Sequence, residues 1–399
     1  MTKVKKKVNR EGGHKAANSN FKQNPMYRYL LILTAIAAVG FQSWRTIFNN
    51  FAAEVVGLDG DLIGFIQSAR EVPGFLTFLV IFVIIFIKEE KLSALSIVTL
   101  GLGIFLTGFF PSFWGLMMTT LIMSLGFHYY ETTNKSLSIQ YFSRESSPLV
   151  LAKQRSISAL MNILVGVVIF GAAYYFSYQE ILATAGLIVG GFGLWALGQN
   201  PGNKDLPLQK KKLIFRKKYL LFYFLNFMAG ARRQIFIAFA VFLLVKKFEF
   251  TVPEISLLFL VNNLINYFLS PLIGQAIVKF GERRVLSLEY FSLILIFASY
   301  ALVDSKVLVA LLYILDHIFF NFAIAIQTYF QKVGDPRDFA PSMAVSFTIN
   351  HIAAVFLPAV GGLLWIIDYR IPFLMGAFIS FISLLAVQNI RYAKDERSL

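Results

Sequence analysis

The chain has 399 residues, 57% of them hydrophobic and only 15% charged, with 37 lysines and arginines against 22 acids for a net charge of +15. A soluble domain of this length needs a more polar surface. A mean hydropathy of +0.65 suits a chain solvated largely by lipid, and the absence of cysteine excludes disulfides, cysteine-held zinc or iron–sulfur centres and thiol catalysis.

Residues 1–27 form a basic, polar tail with no short apolar run ahead of a small-residue cleavage site, so no cleaved signal peptide is expected. Beyond it the apolar residues come in runs of about twenty, the length a helix needs to cross the hydrocarbon core. Twelve such spans are predicted, at about 28–53, 60–87, 92–110, 113–141, 150–176, 180–198, 219–245, 254–278, 285–303, 307–331, 341–365 and 371–391. They lack the alternation of barrel strands, so an all-α membrane protein is expected. The basic linker 199–218 divides it into an N-terminal six-helix half (28–198) and a C-terminal one (219–391), with a short tail at 392–399. If the N-terminus is cytoplasmic, 27 lysines and arginines fall on the cytoplasmic side, against only Lys246, Lys247, Lys306 and Arg370 outside. Both termini are therefore expected in the cytoplasm, in a multi-pass protein of the inner or plasma membrane. The net charge reflects this bias and contact with anionic headgroups, and no nucleic-acid partner is expected.

The informative residues are ionisable groups in mid-span. In chain order they are Arg45 (span 1), Arg70 and Glu71 (span 2), His128 and Glu131 (span 4), Arg232 and Arg233 (span 7), Asp316 and His317 (span 10) and His351 (span 11). A charge at the centre of a membrane helix costs about 2.5–3.5 kcal/mol, so the seven acids and arginines facing lipid would cost on the order of 20 kcal/mol. They are expected to face one another or water inside a bundle. Asn321 and Asn350 lie at similar depth on spans 10 and 11, and Asn262, Asn263 and Asn266 on span 8. Spans 3, 6 and 12 carry no such group, and Glu289 on span 9 is expected near the interface.

Arg45 and the Arg232–Arg233 pair could clamp an anion from opposite halves. Adjacent arginines diverge by about 100° on a helix, so one of the two is expected to serve a neighbouring helix. Arg70 and Glu71, being adjacent, should each need a partner on another span, and Pro73 is expected to bend span 2. His128 and Glu131 share a face suited to proton coupling, with Glu131–Lys135 pairing as the alternative. Asp316, His317 and His351 are expected to act in proton coupling or gating, as a proton relay, or to make polar substrate contacts. No HExxH or His-rich tract occurs, and neither a metal site nor a cofactor is expected. Phe41, Phe127, Phe236, Phe319 and Phe320 are candidates for an apolar cavity wall.

Six spans, a linker and six more spans resemble the major facilitator superfamily, whose halves are related by an axis along the membrane normal. The loop between spans 8 and 9 carries Gly274, Lys279, Gly281, Arg283 and Arg284 and is similar to the superfamily's G-x-x-x-D-R-x-G-R-R signature, with Val278 in place of the acid. The counterpart between spans 2 and 3, Ile87-Lys88-Glu89-Glu90-Lys91, lacks the glycines. The resemblance implies that spans 1, 4, 7 and 10 line a cavity, that the loop arginines act in conformational switching, and that the protein works as a monomer. It also implies a place for Arg45 and Arg232/Arg233, since the superfamily's organophosphate antiporters hold their substrate with arginines on these two helices.

No G-x-x-x-x-G-K-[ST] loop occurs, so an ion or substrate gradient is the expected driving force. The expected function is secondary active transport, by symport or antiport, of a small polar, anionic solute coupled to protons. A multidrug or sugar efflux transporter is the alternative, and an intramembrane enzyme or a non-transporting sensor a distant one. Neutralising Arg232, Glu131 or Asp316 is expected to abolish transport without affecting expression.

Overall fold

The computed structural model describes residues 21–202, 206–210 and 212–391. The tail before residue 21, Lys204 and Lys211 of the linker, and the tail 392–399 lie outside the described residues. The chain forms α1 (Pro25–Val55), α2 (Leu62–Val83), α3 (Glu89–Thr107), α4 (Phe113–Tyr141), α5 (Ser147–Ala172), α6 (Tyr178–Gly198), α7 (220–246), α8 (Val252–Phe280), α9 (Glu282–Leu302), α10 (Lys306–Val333), α11 (Phe339–Ile367) and α12 (Arg370–Val387). No strand occurs among the described residues. Among the described residues, nine helices are long and apolar enough to cross a membrane. α4, α7 and α11 are not among them, and each carries polar groups that face inward.

Local sequence signals set the helix starts. Asn24 caps α1, Ser112 caps α4, and Ser177 with Glu180 and Thr251 with Glu254 form capping boxes for α6 and α8. Pro148 begins α5 earlier than hydropathy suggests, because proline is tolerated in a first turn. α2 is the irregular member. It breaks at Arg70 and Glu71, then continues through short α and 3-10 turns as far as Val83. Pro73 follows the break; it lacks an N–H and disfavours helix in the residue before it.

Within the N-terminal half α3 packs between α4 and α6; within the C-terminal half α9 packs on α12 and α7 on α11. Across the halves α5 packs on α8 and α11 on α2. One apolar cluster belongs wholly to the N-terminal half, and another, around Phe236, Phe297 and Tyr300, wholly to the C-terminal half. The two clusters that mix the halves both lie at the end of the bundle carrying the linker. In one, Ile139, Leu151 and Ala152 meet Ile273 and Ile277; in the other, Val80, Ile81 and Ile84 meet Ala340 and Ala344. Gln331 adds hydrogen bonds there, donating to the carbonyls of Ile139 (2.8 Å) and Phe142 (2.7 Å) and accepting from Ser147. The halves are therefore fastened together at the linker end.

The linker is itself tied down. Asp338, fully buried, accepts from Lys210 (2.8 Å), Arg216 (3.0 Å) and the Tyr219 hydroxyl (2.7 Å). Beside it the Arg337 guanidinium and backbone N–H hold the Asp335 carboxyl well below the usual carboxylate range.

Candidate functional site: a cavity between the halves

Two helical faces of polar residues meet across the cavity. On α4, Phe127, Tyr130, Glu131, Asn134 and Lys135 recur at the three- and four-residue spacing of one helix face. On α5, Gln154, Ser158 and Asn162 follow at steps of four, with Arg155 beside them. α1 adds Thr34 and Phe41, α7 adds Asn226 and Arg233, α10 adds Phe320 and Gln327, and α11 adds Ser346, Phe347 and Asn350. Together they enclose about 370 Å³, within the range of small-molecule sites.

Three cations, Lys135, Arg155 and Arg233, line this space, against one carboxylate, Glu131. Glu131 and Lys135 lie 3.5 Å apart, the pairing weighed above as an alternative to a His128–Glu131 site. Lys135 also sits 4.2 Å from the centre of the Phe347 ring, and the Arg155 guanidinium 5.7 Å from that of Phe320. Among the described residues neither Arg155 nor Arg233 has an ion-pair partner, and the buried Nε of Arg233 has no hydrogen-bond acceptor. Phe41 and Phe127, stacked at 4.2 Å, make an apolar wall. Phe236 and Phe319 instead pack in the cluster at the far end of the C-terminal half.

Adjoining the cavity is a second group. Arg70 Nη2 contacts Glu71 Oε1 at 2.6 Å, so these neighbours pair directly instead of each finding a partner on another span. The break in α2 makes this possible, since on a regular helix adjacent side chains diverge. The other oxygen, Glu71 Oε2, lies 3.8 Å from His351 Nε2, and the His128 and His351 rings meet edge to face at 4.7 Å. The Arg70 guanidinium also lies 5.6 Å from the Phe41 ring.

The remaining candidates are placed elsewhere. Arg45 is exposed and is not a cavity residue. Arg232 is 2% exposed and turns away from the cavity: Nη1 donates to Ser383 (2.5 Å), Nη2 lies 3.6 Å from Glu289, and the guanidinium lies 4.4 Å from the Tyr290 ring centre. Glu289, expected near the interface, is 1% exposed, because α9 turns it inward onto Arg232. Asp316 is buried, with Oδ2 unpartnered. His317 Nε2 lies 2.7 Å from the Asn266 amide, and Asn321 donates to Asn266 and to the His317 carbonyl. Asn350 does line the cavity and donates to the Asn226 carbonyl (3.0 Å). The conceivable Asp316–His317–His351 grouping is not the one that forms; His351 joins Glu71 and His128 instead.

Within the C-terminal part of α8, a Cβ on Gly274 would lie 2.7 Å from that of Ala152, so this glycine lets α5 and α8 close at the linker end. Gly281 turns the chain at φ 78. Lys279 lies beside the Phe280 ring, Arg284 is exposed, and Arg283 donates to Gln388 (3.0 Å). The acid at the start of α9 is Glu282, which accepts from Lys332 on α10 at 2.8 Å. On the opposite half, Lys91 donates to the carbonyls of Leu197 and Gln199 at the end of α6.

Arg155 and Lys135 were not singled out from the sequence as site residues. Arg155 is one of the 27 charges counted on the cytoplasmic side, whereas the structure places it within α5, lining the cavity. The four-residue spacing of Gln154, Ser158 and Asn162 was the available signal. Arg232→Gln should leave Glu289 buried without its cation, an effect of about 3–5 kcal/mol. We expect this variant to lose folded yield and melting temperature, read by size-exclusion chromatography and thermal unfolding, in contrast to the intact expression anticipated from sequence.

A helical bundle whose halves enclose a polar cavity and share pseudo-symmetric contacts is the fold of a membrane carrier. The family model described as Major Facilitator Superfamily matches residues 30–337 and 222–398, and the chain belongs to that family. It is a multi-pass membrane transporter and not an enzyme. Superfamily members sit in the bilayer and bind small-molecule substrates. Among solved structures, the human organic anion transporter MFSD10 (TETRAN) is similar with a TM-score of 0.74 at 12% identity, covering 91% of this chain and 99% of that one. A bacterial homologue of the iron transporter ferroportin in an outward-facing state gives 0.73 at 14% identity, covering 91% and 98%. The transporter FucP in its outward conformation gives 0.72 at 12% identity, covering 92% and 99%. No curated protein matches the chain.

Proposed function

We propose that the protein carries a small organic anion, together with a proton, across a cell membrane by alternating access, with all twelve helices spanning and both termini cytoplasmic. The observation that supports this is the convergence of Lys135, Arg155 and Arg233 on a cavity with one carboxylate. Two cations without ion-pair partners in a low-dielectric pocket attract an anion strongly. Organic anions are also the cargo named for one of the similar structures. Glu131 supplies the coupling. As a carboxylate it occupies Lys135; protonated, it releases Lys135 to the substrate, so proton and anion favour each other's binding. With the linker in the cytoplasm, contact between the halves at that end supports reading this conformation as the one open to the other side, the state also named for two of the similar structures. Rocking of the halves about the cavity then delivers the cargo.

The amides and hydroxyls around the cavity favour a second reading, a neutral sugar. A thermal-shift screen of purified protein against carboxylates and phosphate esters, neutral sugars and cationic drugs at two pH values separates them, because a ligand of the folded state raises Tm. Stabilisation by anions, greater at the lower pH, is expected. Stabilisation by neutral sugars alone would overturn the anion assignment.

A further inference from the structure

We propose that Glu71, His128 and His351 form a site for a divalent transition-metal ion of the zinc class, bridging the two halves of the carrier. One ligand atom from each of the three lies within 4.8 Å of the others. Donors at the corners of such a triangle lie up to about 2.8 Å from its centre, so each must close by less than about 1 Å to reach the ~2.1 Å of a zinc–imidazole or zinc–carboxylate bond. The ring orientation of His351 is already set. Its Nδ1 faces the Phe347 carbonyl at 2.8 Å and must donate to it, which leaves the Nε2 lone pair directed at Glu71 Oε2. His128 is 5% exposed, and its Nδ1 has no partner. A glycine makes room for the group: a Cβ on Gly74 would lie 2.4 Å from the His351 ring. Two imidazoles and one carboxylate suit zinc and its neighbours in the first transition row and leave a fourth position open.

Two consequences distinguish a metal site from a packed histidine pair. Glu71 and His128 stand on α2 and α4, whereas His351 stands on α11, so an ion held by all three fastens one half to the other and arrests exchange. Arg70 holds the other oxygen of Glu71 and competes with any cation for the carboxylate.

The test is calorimetric titration of the purified full-length chain with Zn2+, with Co2+ as an absorption probe of tetrahedral ligation. The expected result is one site per chain, weakened at least tenfold in His351→Gln and in His128→Gln, and tightened in Arg70→Gln. Zn2+ should also slow exchange in proteoliposomes made with the wild type but not with the His128→Gln/His351→Gln double variant. The proposal fails if the double variant binds Zn2+ as the wild type does, or if wild-type protein gives neither stoichiometric Zn2+ binding nor the Co2+ visible band. The wild-type and Arg70→Gln measurements decide the matter even if the histidine variants fold poorly. Because metal binding is the deciding readout, the outcome is independent of the cargo.

Discussion

Replacing both Arg155 and Arg233 with glutamine should abolish binding of the anionic substrate while the protein still folds. Truncating one member of a buried charge contact costs about 2–5 kcal/mol, a loss of roughly 30-fold to several thousand-fold for each arginine, with less than full additivity because both would face one ligand. Folding should survive because neither side chain lies within ion-pair distance of a carboxylate among the described residues, and Glu131 keeps Lys135 as its partner. Neutral polar compounds should bind the double variant and the wild type alike. Isothermal titration beside a melting curve separates the two effects; wild-type affinity for the anion in a folded double variant would refute the cavity assignment. The contrast with Arg232, one residue away, is the sharper control. That guanidinium serves Glu289 and Ser383, and its loss should appear in the melting curve.

Glu131→Gln should uncouple the carrier. In the wild type, a bound anion draws Lys135 away from Glu131 and so favours protonation of that carboxylate, by a coupling on the order of 1–3 kcal/mol, or about 5- to 150-fold. The charged and titratable neighbours in its surroundings are His128 and Lys135 on its own helix, Arg155 on α5, Arg233 on α7 and His351 on α11. Glutamine cannot take up a proton, so the variant should bind the anion with an affinity nearly flat in pH. It should still exchange labelled substrate across a proteoliposome membrane, yet accumulate none under an imposed proton gradient. Gradient-driven accumulation by the variant would move the coupling site elsewhere, with the buried Asp316 as the next candidate.

The sequence made some of this legible and not the rest, and particular residues show why. Arg233, Glu131 and Asn350 were found because a polar group in a long apolar run has few places to go. Arg232 was grouped with Arg233 because depth along a helix can be read from position. Which of two neighbours faces the cavity depends on helix rotation, set here by Glu289 and Ser383, far away in the chain. Arg155 counts among the cytoplasmic charges because positive residues near a span end usually belong to that side; the packing of α5 instead turns it into the cavity beside Gln154. The Arg70–Glu71 pair was excluded on helical geometry, which fails where Pro73 breaks the helix.

By itself, the sequence determined the membrane environment, the all-helical class and the presence of a polar interior. Each of these follows from the cost of placing polar groups in hydrocarbon, which composition and run length already reveal. Only the tertiary structure decided which charges share a space. Helix rotation and the approach of α2 to α11 and of α5 to α8 depend on side-chain packing between segments distant in the chain. That packing brought His351 to Glu71 and turned Arg232 away from the cavity.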